Sequence, residues 1–315
     1  MQKRFIRKIP NADVTVPSPL LESEVTWLRP FRADHFYQLP ADFPLRTHPQ
    51  FSQVLGMDAA SAATVWALRL NEGSNLDVLD MCCAPGMKLM LIEDTLQSGK
   101  VFGADVSETR LRVCRNLLLK HGYLDLKDRI FLASNPQWST LSETTRFESF
   151  VNDQKPKKKR RKLVRDEFPE FPLLFDRVLV DAECTHDGSD RHSSKHAPGG
   201  FWDVFGKTKN AHNPLSMDAL LANQRRLIIA GFNLVKPGGL LVYSTCSLQS
   251  CQNEEIVDFL YSQFPDSATP ESLPFLDVPA TRMNSHSCLF EPSVSGTSGQ
   301  FIASIRKAGA QNSLS

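Results

Sequence analysis

Apolar positions along the middle of the chain follow first a strand-like and then a helix-like pattern. The run 78–81 is apolar apart from Asp80, and Pro85-Gly86 marks a turn soon after it. Beyond the turn, apolar side chains recur between Leu89 and Leu96 at near-helical spacing. The pattern predicts a strand, a tight loop and a helix in succession.

The same kind of unit recurs further along the chain. Strands are predicted at 101–105, 129–132, 176–181 and 239–244, helices at 111–118 and 217–235, and a turn at 236–239. Strands that alternate with helices form a mostly parallel sheet, so the predicted fold class is α/β and doubly wound. Ligands of such sheets lie beyond the carboxyl ends of the strands, which is where Asp80, Asp105, Asp181 and Cys246 fall.

Composition narrows the class of protein. The chain has 315 residues, 41% of them hydrophobic, which is enough for one substantial core and a small appendage. Its 36 basic and 35 acidic side chains leave a net charge of +1, so an RNA-binding face must come from local clustering. Seven cysteines, with Cys82 next to Cys83, match neither a disulfide framework nor a zinc motif, so we expect a reducing compartment. No signal peptide, membrane span or membrane partner is expected, because no apolar run approaches the roughly 20 residues that a span needs.

The first loop has the chemistry of a nucleoside site. It contains small residues and a glycine, so its backbone can approach a ligand, and the N-terminus of the following helix favours a carboxylate. Asp105, at the tip of the second strand, is placed to bind a ribose diol. The predicted ligand is an adenosine with a carboxylate tail. Its contacts are expected from Cys82, Cys83, Ala84, Pro85, Gly86, Met87 and Lys88.

Two later cysteines add reactive groups to the same edge. Cys184 and Cys246 each follow an apolar strand into a loop, where a thiolate is nucleophilic if its pKa is lowered. An ordinary buried thiol is the interpretation that we keep for Cys114 and Cys288.

These motifs resemble those of the NOL1/NOP2/Sun family of RNA cytosine-C5 methyltransferases. The family's cofactor motif, Asp-x-Cys-Ala-Ala-Pro-Gly-Gly-Lys, is matched by residues 80–88, and its motif Asp-Ala-Pro-Cys-Ser-Gly by residues 181–186. Lys-Pro-Gly-Gly and Tyr-Ser-Thr-Cys-Ser stand unchanged at 236–239 and 243–247, with Asn253-Glu254 downstream. The resemblance runs from about Trp27 to the apolar segment 301–303.

The resemblance implies a Rossmann-like fold that binds S-adenosyl-L-methionine, and it assigns roles to the residues. Cys246 would add to carbon 6 of cytosine and so make carbon 5 nucleophilic, and Cys184 would help to remove the carbon 5 proton. Asp181 would hydrogen-bond the base and contact the cofactor, and Lys88 would reach the base from the loop. Asp105, Arg110 and Ser134 would hold the cofactor. The substrate would be an unstacked cytosine of rRNA or tRNA.

Three of the departures from the family pattern bear on cofactor affinity and rate. Met87 replaces the second glycine of the cofactor loop, Ser134 stands where the family has an aspartate, and Glu183 replaces the proline before Cys184. Glu183 is a second carboxylate close to Asp181, which either raises one pKa and supplies a proton-transfer group or points to solvent. The following polar loop holds His186, Asp187, His192 and His196, whose spacing fits no zinc pattern. We expect no metal there, and either substrate contact or ordinary surface.

The domain organisation follows from the same reading. Residues 51–310 are the predicted catalytic domain, and residues 1–50, rich in proline and aromatics, are either a wrapping segment or the remnant of a second domain. Residues 145–172 form a basic insertion that we expect to be mobile. Its run Lys155–Lys162 predicts a nuclear import signal read by an import receptor, with a clamp on RNA phosphates as the rival. Nucleus or nucleolus is therefore the expected location, and cytoplasm the alternative.

Other classes of function remain as rivals. A non-catalytic RNA-binding or scaffold protein would keep the fold without turnover, but the presence of Cys246, Cys184, Asp181 and Lys88 together argues against it. A methyltransferase of proteins or small molecules has no need of two cysteines. DNA cytosine methyltransferases place the nucleophile after a proline where Glu183 stands here, which disfavours that class.

Overall fold

The structure is a computed structural model that describes ten segments of the chain. These are residues 4–8, 24–29, 31, 36–39, 54–123, 128–134, 148–149, 174–189, 216–275 and 277–309. Its strands are β1 (Arg4–Lys8), β2 (Phe36–Leu39), β3 (Val54–Gly56), β4 (Leu76–Asp80), β5 (Gly99–Asp105), β6 (Ile130–Ser134), β7 (Glu148–Ser149), β8 (Phe175–Asp181), β9 (Val235–Thr245), β10 (Ala268–Pro270), β11 (Thr281–Arg282), β12 (Ser287–Phe290) and β13 (Gln300–Lys307). Its α-helices are α1 (Ala59–Trp66), α2 (Met87–Thr95), α3 (Glu108–Lys120), α4 (Met217–Leu234), α5 (Glu254–Gln263) and α6 (Pro292–Ser295).

The main sheet has ten strands and a parallel centre. Its order is β11-β12-β13-β9-β8-β4-β5-β6-β7, with β10 paired to β13 beside this path. The ladders among β9, β8, β4, β5 and β6 are parallel, whereas β7, β10, β11, β12 and β13 pair antiparallel. The predicted doubly wound, mostly parallel α/β sheet is therefore confirmed.

Both faces of this sheet are covered, which explains why its strands are apolar almost throughout. Leu179 belongs to the core on one face and its neighbours Val178 and Val180 to the core on the other, and all three are fully buried. Parallel strands with helices on both faces need this continuous apolar character. Burial on both faces fixes the register and so places the ends of the central strands together.

The predicted turn at 236–239 lies inside a strand. β9 already begins at Val235. Val235 pairs with Phe175 of β8 and Leu240 pairs with Arg177, so the pairing shifts there: five positions along β9 correspond to two along β8. Gly238 has a φ of +78°, which glycine adopts without strain. The Pro-Gly-Gly sequence therefore forms an irregularity in the ladder and does not interrupt the strand.

A second, three-stranded antiparallel sheet has the order β2-β1-β3. Its buried Arg7 forms an ion pair with Asp94 of α2, and Tyr123 donates a hydrogen bond of 2.7 Å to the same carboxylate. Phe5 and Phe36 of this sheet belong to the same core as α1 and α2. The small sheet thus packs against the cofactor-loop side of the main sheet.

Some predictions fall on other parts of the chain. The basic run Lys155–Lys162 and most of the insertion predicted at 145–172 lie outside the described residues, as do His192 and His196. Among the helices that the structure describes, none has the length and apolar character to cross a membrane.

Candidate active site

A backbone hydrogen bond fixes the loop between β4 and α2 to the end of β5. The Cys83 amide donates to the carbonyl oxygen of Ala104 at 2.9 Å, and Pro85 follows a cis peptide bond. Gly86 ends the loop with a φ of +114°, and a Cβ there would lie 2.7 Å from the Cys114 sulfur. Only glycine fits, and because Gly86 has no side chain to cap α2, the first amides of the helix face the site.

Asp105 at the end of β5 organises the other side of this loop. Its buried carboxylate accepts hydrogen bonds from the Ala84 amide at 3.3 Å and the Ser107 amide at 2.9 Å. Arg110 lies 3.7 Å from the same carboxylate and donates to the Ala84 carbonyl oxygen at 2.6 Å. Ser134 ends β6 directly opposite Asp105 in the ladder, with an exposed side chain. The predicted cofactor contacts are thus gathered at one edge.

Lys88 joins the cofactor loop to β8. Its ammonium nitrogen lies 2.8 Å from Asp181 Oδ2, and Gln300 Nε2 donates to the other oxygen of Asp181 at 3.4 Å. Burial alone would lower the pKa of Lys88, but the charge and hydrogen bond of Asp181 outweigh it and the pKa is raised. Lys88 is therefore a cation at neutral pH and Asp181 is held by it.

The two predicted reactive cysteines meet. Cys184 Sγ and Cys246 Sγ lie 3.1 Å apart, and Nδ1 of His186 lies 2.9 Å from Cys246 Sγ and 3.7 Å from Cys184 Sγ. Cys184 is only 5% exposed, whereas Cys246 is half-buried. A substrate atom thus has better access to Cys246.

The contact between the two sulfurs favours a single thiolate shared by the pair. The hydrogen bond from Cys246 lowers the pKa of Cys184 to about 5 against the opposing effect of burial, and His186 adds to the lowering. The same contact, together with burial, raises the pKa of Cys246. One thiolate is therefore present near neutral pH, and a short proton transfer decides which sulfur carries it.

Buried polar side chains brace the two cysteine loops against each other. Gln252, fully buried, donates to the hydroxyls of Thr185 at 2.8 Å and Ser247 at 2.9 Å and accepts from the Thr185 amide at 3.1 Å. Asp187 accepts from the Ser247 hydroxyl at 2.8 Å and from the Leu248 amide at 3.0 Å. The sulfur positions are thereby fixed by two satisfied networks.

Comparison with known proteins finds similarity to rRNA methyltransferases. A family profile described as 16S rRNA methyltransferase RsmB/F matches residues 153–306. Ribosomal RNA small subunit methyltransferase F of Pectobacterium carotovorum subsp. carotovorum (strain PC1) is 27% identical over 256 residues, 80% of this chain and 44% of that protein. The 5-cytosine rRNA methyltransferase NSUN4 of Mus musculus is 30% identical over 205 residues, 64% of this chain and 43% of that protein. These matches agree with the resemblance of the motifs to the NOL1/NOP2/Sun family.

Two solved structures share the fold of this chain. NSun6 from Pyrococcus horikoshii superimposes with a TM-score of 0.58 at 24% identity, covering 86% of this chain and 57% of that one. A methyltransferase homolog protein from the same organism gives a TM-score of 0.61 at 22% identity, covering 98% and 87%. The fold is therefore the Rossmann-like methyltransferase fold. The chain spans less than half the length of the two curated relatives described above.

The residues present fit S-adenosyl-L-methionine, the cofactor that the resemblance of the motifs implies. The uncapped amides of α2 suit its carboxylate, and the buried Asp105 suits its ribose diol. Val106, next to Asp105, is 65% exposed and offers an apolar surface for the adenine. Sequence reasoning missed Val106, although its place directly after the acidic strand end was a usable signal.

Beside Asp181, a raised pKa belongs to the carboxyl of Asp80. Glu183 is exposed, which agrees with the solvent-facing alternative. Asp80 is buried at the end of β4, where burial first and the charge of Asp181 second raise its pKa to about 7.

The prediction for His186, substrate contact or ordinary surface, missed its main contact. His186 is half-buried against both sulfurs, and its Nδ1 lies with them inside a 4.8 Å cluster of a kind that can hold a metal ion. Ligand atoms around tetrahedral zinc are separated by about 3.5 Å or more, given zinc–ligand bonds of roughly 2.0–2.3 Å. The contacts of Cys246 at 2.9 and 3.1 Å are shorter and are those of hydrogen bonds.

Proposed function

We propose that this protein transfers a methyl group from S-adenosyl-L-methionine to carbon 5 of a cytosine in ribosomal RNA, through a covalent bond between Cys246 and carbon 6. The observation that carries the proposal is the pair of sulfurs 3.1 Å apart at the ends of β8 and β9, beside the Lys88–Asp181 ion pair. A methyltransferase that acts on an amine or oxygen needs no thiol adduct, so this pair points to a pyrimidine carbon.

Ribosomal RNA is the proposed substrate because the family profile and both curated relatives carry that substrate in their names. The target base must leave its stack to reach sulfurs that lie this deep, which favours loops or distorted helices over continuous duplex. Transfer RNA, the other expectation from the sequence, has no comparable support among these relatives.

The residues divide the work by position. The accessible Cys246 forms the bond to carbon 6, Asp181 hydrogen-bonds the base, and Lys88 keeps Asp181 in place while adding positive charge near the ring. S-adenosyl-L-methionine, when bound, supplies the methyl group on a cationic sulfur. Cys184, buried beside Cys246, receives the carbon 5 proton, so that carbon 6 releases Cys246.

Methylation of RNA by purified protein tests the proposal. Ribosomal RNA from cells that lack the protein is incubated with it and the cofactor, and 5-methylcytosine is measured by nucleoside mass spectrometry and mapped by bisulfite sequencing. Wild type and Cys251→Ala should both methylate, because Cys251 makes its sulfur contact with Gln249 and lies outside the thiol pair. Cys246→Ala should not.

The rival function is a scaffold that keeps the fold without turnover. Cofactor binding with no methyl transfer to any RNA, in protein whose fold is intact, would favour that scaffold over the enzyme. Methylation by Cys246→Ala at the wild-type rate would remove the covalent route.

A further inference from the structure

His186 occupies a backbone position that suits glycine better than histidine. Its φ is +57°, in the left-handed region, and the family motif quoted above has glycine at this place. A residue with a Cβ is strained in this region, whereas glycine is not. Neighbouring contacts hold the strained residue: Asp187 is fixed by three hydrogen bonds, and the Gly188 amide donates to the Cys246 carbonyl oxygen at 3.2 Å. The chain therefore maintains a side chain where glycine would be easier.

That side chain points at the two sulfurs. The 2.9 Å separation of Nδ1 from Cys246 Sγ is a close hydrogen bond, and the 3.7 Å separation from Cys184 Sγ is within hydrogen-bonding range for sulfur. One nitrogen thus serves both thiols, and Cys246 is the nearer.

The charges around the ring favour its protonated form. The hydrogen bond and charge of Cys184 raise the pKa of His186 against burial, and Glu183 and Asp181 add to the increase. Lys88 is the cation of this cluster, and Asp181 at 2.8 Å neutralises it. An imidazolium beside a shared thiolate is the arrangement that these groups stabilise.

We propose that His186 is a catalytic residue, whose Nδ1 accepts the thiol proton of Cys246 and then holds that sulfur as the attacking thiolate. The identity of the electrophile, carbon 6 of cytosine, rests on the proposed function. The ionisation of the Cys246 thiol does not rest on the proposed function, because it precedes substrate binding.

Protons and electrons balance over one turnover. At the start Nδ1 of His186 holds the proton taken from Cys246, so the ring is an imidazolium, and the two sulfurs share the remaining thiol proton. Cys246 uses its electron pair to form the bond to carbon 6, the carbon 5–carbon 6 π pair moves onto carbon 5, and the shared proton stays on Cys184. Carbon 5 uses this pair to take the methyl group that S-adenosyl-L-methionine would supply, the electrons of the broken sulfur–methyl bond would stay on that sulfur, and carbon 5 keeps its hydrogen.

The second half returns the groups to their starting state. With the negative charge gone from Cys246, His186 releases its proton to solvent and accepts the proton of Cys184. The Cys184 thiolate then takes the carbon 5 proton, the electrons of that bond re-form the double bond, and Cys246 leaves as a thiolate beside the imidazolium. One proton leaves per methyl group transferred, as the overall reaction requires.

Thiol alkylation without RNA or cofactor tests the inference directly. The rate at which iodoacetamide modifies Cys246 is measured from pH 5 to pH 10 by peptide mass spectrometry. We expect His186→Gly to raise the midpoint of this profile by about one pH unit and to slow alkylation at pH 7 about tenfold. Added imidazole should restore part of the rate, since the variant leaves a space for it. His286→Gln is the matched control, because His286 packs on Tyr261 away from the thiols.

A structural role for His186 predicts different results. Glycine relieves the left-handed strain, so His186→Gly should unfold no more easily than wild type. His186→Asn serves as the second variant, because asparagine tolerates this φ but cannot take up a proton. A Cys246 profile at the wild-type midpoint in both variants would overturn the inference.

The two proposals fail separately. A shifted alkylation profile in a protein that methylates no RNA would leave the role of His186 in thiol ionisation and refute the proposed function. RNA methylation by the wild type, combined with an unshifted profile in the variants, would refute the role of His186 alone.

Discussion

Replacing Asp80 by asparagine should remove a pH-dependent loss of stability. Asp80 is 1% exposed, accepts a hydrogen bond from the Cys82 amide at 3.2 Å, and has a pKa of about 7. The unfolded chain releases the proton near pH 3.9, so between these values the folded protein holds a proton that the unfolded chain has lost. The free energy of unfolding therefore falls as pH rises through this window.

The size of the effect follows from the two pKa values. Linkage gives about 1.4 kcal/mol per pH unit in the middle of the window and about half of that at pH 7, hence about 2 kcal/mol between pH 5 and pH 7. Asparagine keeps the shape and accepts the same amide proton without a charge. Relative to wild type, Asp80→Asn should thus gain about 2 kcal/mol over this pH range.

Urea denaturation followed by tryptophan fluorescence at pH 5 and pH 7 measures this difference. The comparison cancels the other titrating groups because both proteins carry them. Asp266→Asn, at an exposed carboxyl, is the control and should show the wild-type dependence on pH. A stability difference between wild type and Asp80→Asn that is equal at the two pH values would refute the reasoning.

Two further predictions concern ligand binding and location. Asp105→Ala should lose most of its affinity for S-adenosyl-L-methionine in calorimetry, by about 1.5–3 kcal/mol, because a charged hydrogen-bond acceptor for the ribose is removed. Asp266→Ala should bind as wild type, and unchanged binding in Asp105→Ala would remove the assignment. For the run Lys155–Lys162 we propose nuclear import: replacement by Gln and Ser should abolish nuclear fluorescence and leave methylation in vitro intact. Normal location with weaker, less salt-dependent RNA binding would instead indicate a phosphate clamp.

The central sheet was predictable because each parallel strand carries its own signal. Within the predicted strand 176–181, residues 178–180 are apolar on both faces, and β8 occupies nearly the same residues. The turn predicted at 236–239 was wrong, since Pro and Gly signals do not distinguish a turn from an irregularity inside a ladder. The small sheet was not predicted, because β1 pairs with strands some thirty to fifty residues away and no local pattern announces such pairing.

The site was predictable to the level of its motifs and no further. The ends of β8 and β9 place Asp181, Cys184 and Cys246 at one edge, and the first turn of α2 brings Lys88 there. The ion pair and the sulfur contact are consistent with that placement. The place of His186 depends on a backbone φ of +57°, which no spacing rule predicts for histidine. The raised pKa of Asp80 likewise depends on its burial, which only packing determines.

Trapping of RNA on the enzyme tests the central claim most directly. If Cys246 attacks carbon 6 and Cys184 acts only after methyl transfer, Cys184→Ala should accumulate an RNA-linked species that survives denaturing electrophoresis. Cys246→Ala and the double variant should form none. Because Glu183 is exposed, adding Glu183→Gln to Cys184→Ala should not be needed for trapping.

The same gel also reports the contrary results. Linked RNA in Cys246→Ala but not in Cys184→Ala would reverse the roles of the two thiols. On an RNA that the wild type methylates, Cys184→Ala should give a slower-migrating protein band. The absence of any such band from every variant would contradict the covalent mechanism.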